Sequence, residues 1–482
     1  MRNSISNQSN NKGERAKILI VSHSPDLGGA EMAIIKLFSY LSKNYPITPH
    51  FVVPRQGDMS QAIIKQGWQY SVISYGVWAW PVVPGKAEDI FRERLRNMEA
   101  VQQLVGLFKR VKPDMVLTNT VVIPWAALAA GLHGLPHIWY VHEYGDLDHG
   151  LTYEIGRKAA LEDVGMLSDL VIANSHAIQN HLATYIDDQK IQTLYIPYDM
   201  EHTRELAAQA ADSPYSPEAA IKIGMIGRTT PSKGQYDAVK AVALLKQQNI
   251  RAELAVMGHI EDASYYAKIE NLIETEGLDG QVHFMNFLAN PMPIIREADV
   301  CIMSSRLEAY GQTTFEYLTL GKPVIGTDSG ATPEMVEEGV NGFLYDYGDA
   351  EALAGHIKRY IEDKSLRAKH SRAAHKRAET MMNGPNSSAA LFDRFEILHK
   401  QPHVPKLPNF VEQLVDMPRI AINYTNSVSF SHRIGWTTKR LIRKAYDISP
   451  PNVQKAARKA LGRESLPVKA RLSRENNRGR GK

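Results

Sequence analysis

The chain has 482 residues, 44% apolar and 22% charged, close to the averages of soluble globular proteins, so disorder as its general state is excluded. A single cysteine, Cys301, excludes intramolecular disulfides and cysteine-rich metal sites, and its apolar neighbours from Asp299 to Met303 predict a buried thiol. The net charge of +4 conceals an imbalance: residues 431–482 carry 15 Lys+Arg against 3 Asp+Glu, or +12, which leaves −8 on the rest.

Residues 1–16 are polar, lack the apolar stretch of a secretory signal, and are expected to be disordered. From there short β-branched runs alternate with helix-length amphipathic stretches. The runs are Ile18–Val21, Phe51–Val53, Val72–Ile73, Met115–Leu117, Ile138–Val141, Leu170–Ala173 and Leu194–Ile196; helical spacing marks Ala30–Leu41 and Glu88–Phe108. Continuous apolar runs of this length suit strands buried on both faces, as parallel sheets require. The most hydrophobic window, residues 116–141, is broken by Asn119, Pro124, His133 and Pro136, which argues against a membrane span and for a cytoplasmic protein.

The alternation lapses over 201–220, where Ser213-Pro-Tyr-Ser-Pro217 has a linker composition. It restarts at Ile221–Ile226, Leu254–Met257, Val282–Met285, Val300–Met303, Val324–Ile325 and Phe343–Tyr345. The expected class is therefore α/β, with two Rossmann-like, doubly wound domains (17–200 and 221–400) facing across a cleft. Residues 401–482 read as a Pro-containing connector (Pro402, Pro405, Pro408) and a basic, amphipathic helical tail, with helix signals over Lys439–Ile448 and from Asn452 to Gly462.

Three stretches carry chemistry. The first strand runs through Ser22-His-Ser-Pro-Asp-Leu-Gly28-Gly29-Ala-Glu31 into a helix; two glycines remove Cβ atoms and free N–H groups face an anion, or they form no more than a tight turn. Gly224-Met-Ile-Gly-Arg228-Thr-Thr-Pro-Ser-Lys233-Gly234 places a guanidinium and an ammonium in one loop, a pairing suited to a diphosphate, although solvated loop cations are the plain alternative. In Ser304-Ser-Arg-Leu-Glu308-Ala-Tyr-Gly311-Gln312-Thr313-Thr314-Phe-Glu316, a helix starts near Gly311 with free N–H donors. Glu308 suits sugar hydroxyls and Glu316 a ribose diol. An exposed loop acid and a helix-dipole partner are the structural alternatives.

In combination these stretches resemble the retaining, nucleotide-sugar-dependent glycosyltransferases of GT-B architecture, and more narrowly glycosyltransferase family 4. Glu308 and Glu316 match its E-x7-E signature, followed by Gly321-Lys-Pro-Val-Ile-Gly326, Gly330-Ala-Thr-Pro-Glu334 and Asn341-Gly-Phe-Leu344. The resemblance covers roughly residues 17–400. It implies that 17–200 is the acceptor-side domain and 221–400 the donor domain. Arg228 and Lys233, with Gly28 and Gly29, would hold the donor diphosphate. Glu308, Gly311, Gln312, Thr313, Thr314 and Glu316 would hold sugar and ribose, and His142 and Glu308 would act at the transferred sugar. Ile196-Pro-Tyr-Asp-Met200 and Ala309-Tyr-Gly311 depart from the usual segments and leave the donor open.

The function expected is transfer of a hexose-type unit to a glycan or lipid-linked acceptor in cell-surface polysaccharide or glycolipid synthesis, with retention and without a metal or other cofactor. Asp146-Leu-Asp148 mimics a metal-binding DxD but lies in the first domain, away from the phosphate loop. A nucleotide-sugar epimerase or a phosphorylase on the same fold, and a non-catalytic glycan-binding scaffold, are the alternatives. Residues 431–482 suit an anionic membrane surface on the inner face or packing on the body; no nucleic-acid partner is expected.

Overall fold

The computed structural model describes residues 15–81, 87–385 and 388–399. The N-terminal segment and the connector and tail from residue 400 onward, with both of the tail's helix signals, lie outside the described residues.

Two parallel sheets dominate. The first holds β1 (Ala16–Ser22), β2 (Ile47–Val53), β3 (Gln69–Val72), β5 (Met115–Asn119), β6 (His137–Val141), β8 (Leu170–Ala173) and β9 (Ile191–Thr193), in the order β3-β2-β1-β5-β6-β8-β9. β4 (Ala79–Trp80) and β7 (Thr152–Tyr153) form a small antiparallel pair outside it. The second holds β10 (Ile221–Ile226), β11 (Ala252–Met257), β12 (Val282–Met285), β13 (Val300–Met303), β14 (Val324–Thr327) and β15 (Gly342–Tyr345), in the order β12-β11-β10-β13-β14-β15. Burial explains the strand composition: Ile18 to Val21 and Leu254 to Met257 are almost fully covered, with helices on both faces.

The strand order reverses between β1 and β5 in one sheet and between β10 and β13 in the other. At such a point the crossovers diverge and leave a crevice at the carboxyl ends of the strands. Register sets the residues there. Ser22 lies beside Asn119, His142 follows the last residue of β6, Arg228 lies two residues beyond β10, and Ser304 follows β13.

Three expectations need correction. The strand expected at Leu194–Ile196 is Ile191–Thr193; pairing with β8 rather than local apolarity selects it. The stretch 201–220 is not all linker, since a helix spans Met200–Ala208, capped by the Asp199 side chain accepting from the His202 N–H. Ser213 to Ser216 is also tied down, because the Ser216 N–H donates to buried Glu253 (2.7 Å) and the Tyr215 hydroxyl to Ile223 O (3.0 Å).

The third concerns the boundary at 400. The helix Ser388–His399 packs on the first sheet, not the second. Leu391, Phe395 and Leu398 are buried with Ile18, Ile34 and Phe38, and Phe392 stacks on Tyr45 at 4.2 Å. Burying three such side chains is worth about 1.5–3 kcal/mol each, which is why the chain returns across the cleft.

Other contacts span the two halves. The Glu334 carboxylate accepts from the N–H groups of His176 (2.9 Å) and Ala177 (2.6 Å) and from the Tyr195 hydroxyl (3.1 Å). Ser175 donates to Ala309 O, and Arg306 to Leu147 O at 2.9 Å.

Candidate active site

On the first sheet's side the site is a hydrogen-bond network. The Ser22 hydroxyl donates to Glu31 Oε1 (2.9 Å), and His23 Nδ1 lies 3.0 Å from the same oxygen. Asn119 Nδ2 donates to Ser22 Oγ and Ala30 O, so its Oδ1 is left to accept from His142 Nε2 at 2.8 Å. That bond fixes the His142 tautomer: Nε2 carries the proton and Nδ1 is an acceptor. Burial pushes the His142 imidazole down to about 3, so it is neutral at physiological pH.

Next to it, burial pushes Glu143 up to about 7, against the Val121 N–H bond. Burial also acts on Glu31 and His23, but their close ion-pair contact outweighs it, holding the carboxyl below and the imidazole above its ordinary value.

Gly28 and Gly29 open the helix Gly29–Asn44 as expected, but the two glycines differ. A Cβ at Gly28 would lie 2.9 Å from Glu31 Oε2, so that space is already taken by the chain's own carboxylate. A Cβ at Gly29 would meet nothing within 4 Å, and only there is the backbone open to a ligand.

On the second sheet's side Lys233 and Glu308 meet directly: Lys233 Nζ donates to Glu308 Oε2 at 2.7 Å, with the carboxylate 15% exposed. Burial pushes the Glu308 carboxyl up, but the Lys233 charge and hydrogen bond reverse this and hold it below the usual range. The backbone of Glu308 is pinned by Gly330, whose φ of +57° and lack of Cβ let it approach; a Cβ there would fall 2.2 Å from Glu308 O.

Gly311, at φ +88°, caps the helix Gln312–Thr319. In its first turn the Thr314 hydroxyl is buried without a hydrogen-bond partner among the described residues. Arg228 stands apart from the Lys233–Glu308 pair. Its guanidinium is exposed and donates to Glu261 Oε2 at 2.7 Å, while its carbonyl accepts from Gln235.

Glu316 lies in a cavity of about 270 Å³ whose walls include Tyr198, Ile226, Phe287 and Asn290. Gln312 donates to its Oε1 at 3.2 Å, and burial pushes the carboxyl up. Across the interface Lys36, from the first domain's opening helix, rests 4.7 Å over the Tyr198 ring. Burial lowers the Lys36 ammonium, opposed by Glu316 and Asp199.

The arrangement thus brings Lys233, Glu308 and the Gly311 helix start together, with Glu316 one helical turn further along. Asn119 gave no signal of its own in the sequence, Glu31 and Glu143 stood only as flanking residues of stretches read for other groups, and Lys36 and Tyr198 gain meaning only from tertiary contact. Asp146 and Asp148 are engaged structurally: Arg157 pairs with the first, and the second accepts from the Tyr144 N–H at 2.9 Å.

Residues 27–202 match the sequence model of Glycosyltransferase Family 4, and residues 209–377 that of Glycosyl transferases group 1. The two matches meet around the helix Met200–Ala208, between the two sheets. This chain is a glycosyltransferase of the GT-B fold. It is 29% identical to the lipopolysaccharide core biosynthesis glycosyltransferase LpsE of Rhizobium meliloti (strain 1021) over 386 residues, which is 78% of this chain and 97% of that protein.

Among solved structures, Anabaena Alr3699/HepE in complex with UDP aligns with a TM-score of 0.62 at 21% identity, over 79% of this chain and 98% of that one. A glycosyltransferase from Rickettsia africae ESF-5 aligns with a TM-score of 0.64 at 19% identity, covering 80% and 99%. Both show the shared fold of this glycosyltransferase. Among its described residues no helix is long and apolar enough to cross a membrane.

Proposed function

We propose that this enzyme moves a hexose-type unit from a nucleotide-sugar to a glycan or lipid-linked acceptor in cell-surface polysaccharide or glycolipid synthesis, with retention of configuration and without a metal. The observation that carries the reading is the Lys233–Glu308 ion pair at the mouth of the second sheet, one helical turn from the cavity lined by Glu316. The UDP complex of HepE and the lipopolysaccharide core biosynthesis named for LpsE support the donor class and the setting.

In this reading the nucleoside occupies the cavity beside Phe287 and Asn290, with the ribose diol donating to Glu316. The diphosphate replaces Glu308 as the partner of Lys233, and Arg228 swings from Glu261 to join it. Glu308, released from Lys233, accepts from hydroxyls of the sugar, as does His142 Nδ1. The bond between the anomeric carbon and the phosphate oxygen breaks as the acceptor oxygen bonds to the same face of that carbon. The acceptor's proton passes to the departing phosphate oxygen. Charge growing on the phosphate is met by Lys233, Arg228 and the amides at Gly311–Thr314, each donor worth roughly 2–4 kcal/mol in a dry cleft.

A thermal-shift panel of UDP-, GDP-, ADP- and dTDP-linked sugars tests the donor class, since the matching ligand stabilises the folded chain by mass action. No shift with any of the four contradicts the reading. With the donor in hand, NMR of the product gives the anomeric outcome, and turnover unchanged in EDTA is the expected response to metal removal.

A further inference from the structure

A larger cavity, about 680 Å³, lies away from the cleft between four helices. Arg204 from Met200–Ala208, Arg296 from Met292–Glu297 and Arg372 from Lys364–Met382 line it, over an apolar floor of Ala207, Ala208 and Leu320. Arg204 is partly engaged, by Glu201 at 3.2 Å and by His375 Nε2 at 3.4 Å. Arg296 and Arg372 are exposed and have no ion-pair partner among the described residues.

The helix Gln312–Thr319 ends here, which by itself disfavours an anion, but its last carbonyls are already answered. Thr319 O lies 3.3 Å from His375 Nδ1, and Gly321 O accepts from Ser371 Oγ at 2.6 Å. Three guanidiniums from three elements line one hollow, so an anion placed in it is attracted by all three.

We propose that this cavity is an effector site for a phosphomonoester on a small carbon skeleton. Guanidinium forks match the oxygens of a phosphate dianion, the apolar floor suits the carbon body, and the volume is that of a metabolite pocket. The site is coupled to the cleft by shared walls. The helix Met200–Ala208 gives Thr203 and Leu206 to the Glu316 cavity and Arg204, Ala207 and Ala208 to this one. Likewise Met292–Glu297 gives Met292 to one and Arg296 to the other, and Gln312–Thr319 gives Glu316 and Thr319. A ligand drawing Arg204, Arg296 and Arg372 together therefore shifts helices that shape the other cavity. The binding claim is independent of the donor reading; the coupling claim rests on it.

The test uses the full chain with inorganic phosphate and glycerol 3-phosphate as probes, followed by thermal shift in the wild type, the double variant Arg296→Gln/Arg372→Gln, and Lys233→Gln. The expected result is a saturable rise of about 2 °C or more in the wild type and in Lys233→Gln, lost in the double variant. A rise lost in Lys233→Gln but kept in the double variant, an equal rise in all three, or none in the wild type overturns the site.

Flotation with phosphatidic acid vesicles separates the sources of phosphate. A wild-type excess over the double variant assigns it to a lipid headgroup, and equal flotation beside a retained thermal response assigns it to a soluble ligand; both uphold the site. The donor KM should change at least twofold with glycerol 3-phosphate in the wild type and not in the double variant. A constant KM beside an intact thermal response overturns the effector role.

Discussion

The two sides of the cleft are built on opposite principles. On the first sheet's side Ser22, Glu31, Asn119 and His142 are linked by hydrogen bonds that fix the His142 tautomer, with His23 in ion-pair contact with Glu31. On the second sheet's side Lys233 has one carboxylate, Arg228 has an exposed one, and the Thr314 hydroxyl has no partner among the described residues. A hydrogen-bonded network positions atoms and resists change; an ion pair can be exchanged when a ligand's phosphate oxygens take over Lys233 and its hydroxyls donate to the released carboxylate. The first side therefore reads as a template and the second as a grip.

That contrast is broken or sharpened by substitution. The largest effect is expected at Lys233: Lys233→Met should lower transfer about 100-fold, the scale of losing one donor to developing charge. It should also reverse a pH dependence. With Lys233 present, the depressed Glu308 carboxyl contributes stability above the ordinary carboxylate range, lost as pH falls through its lowered value. Without Lys233, burial, the largest influence on that carboxyl, is opposed only by Ser305 and His149, so its value should rise and stability should instead fall as pH rises through it; urea unfolding between pH 3 and 8 reads the sign.

Glu308→Ala should cut transfer at least tenfold with the fold intact by circular dichroism. On the template side, Asn119→Ala should cost about 2–3 kcal/mol of stability, because three hydrogen bonds go, two of them buried, while nucleoside diphosphate affinity stays within threefold. The smallest effect is a flat line: His142 should show no titration by NMR between pH 5 and 8. A midpoint near 6.5 would mean that the first side is open to water.

The sequence made most of the frame legible, for a physical reason. Strands buried on both faces must be continuously apolar, so β1, β6, β8, β10 and β13 are visible as runs, whereas β9 (Ile-Gln-Thr) is defined by its partner and was displaced by three residues. Met200–Ala208 is not legible because its sequence is mostly polar and its few apolar residues, Met200, Leu206, Ala207 and Ala208, form no strong stripe. The return of Ser388–His399 to the first sheet was invisible, since amphipathicity reveals a buried face but not what covers it. The juxtaposition of Lys233 and Glu308, 75 residues apart, was inferred through resemblance, and the structure supplies their contact. The outward turn of Arg228, the occupation of the space at Gly28 by Glu31, and the approach of Lys36 to Glu316 depend on tertiary packing that no local pattern encodes.

Calorimetric titration of UDP, GDP, ADP and dTDP into the wild type and Lys233→Met tests the central claim, that a donor diphosphate is held by displacing Glu308 from Lys233. One nucleotide should bind the wild type and lose at least tenfold in affinity with the variant, and its binding should release the Glu308 carboxylate to new partners. Equal affinity for that nucleotide in both proteins would contradict the account.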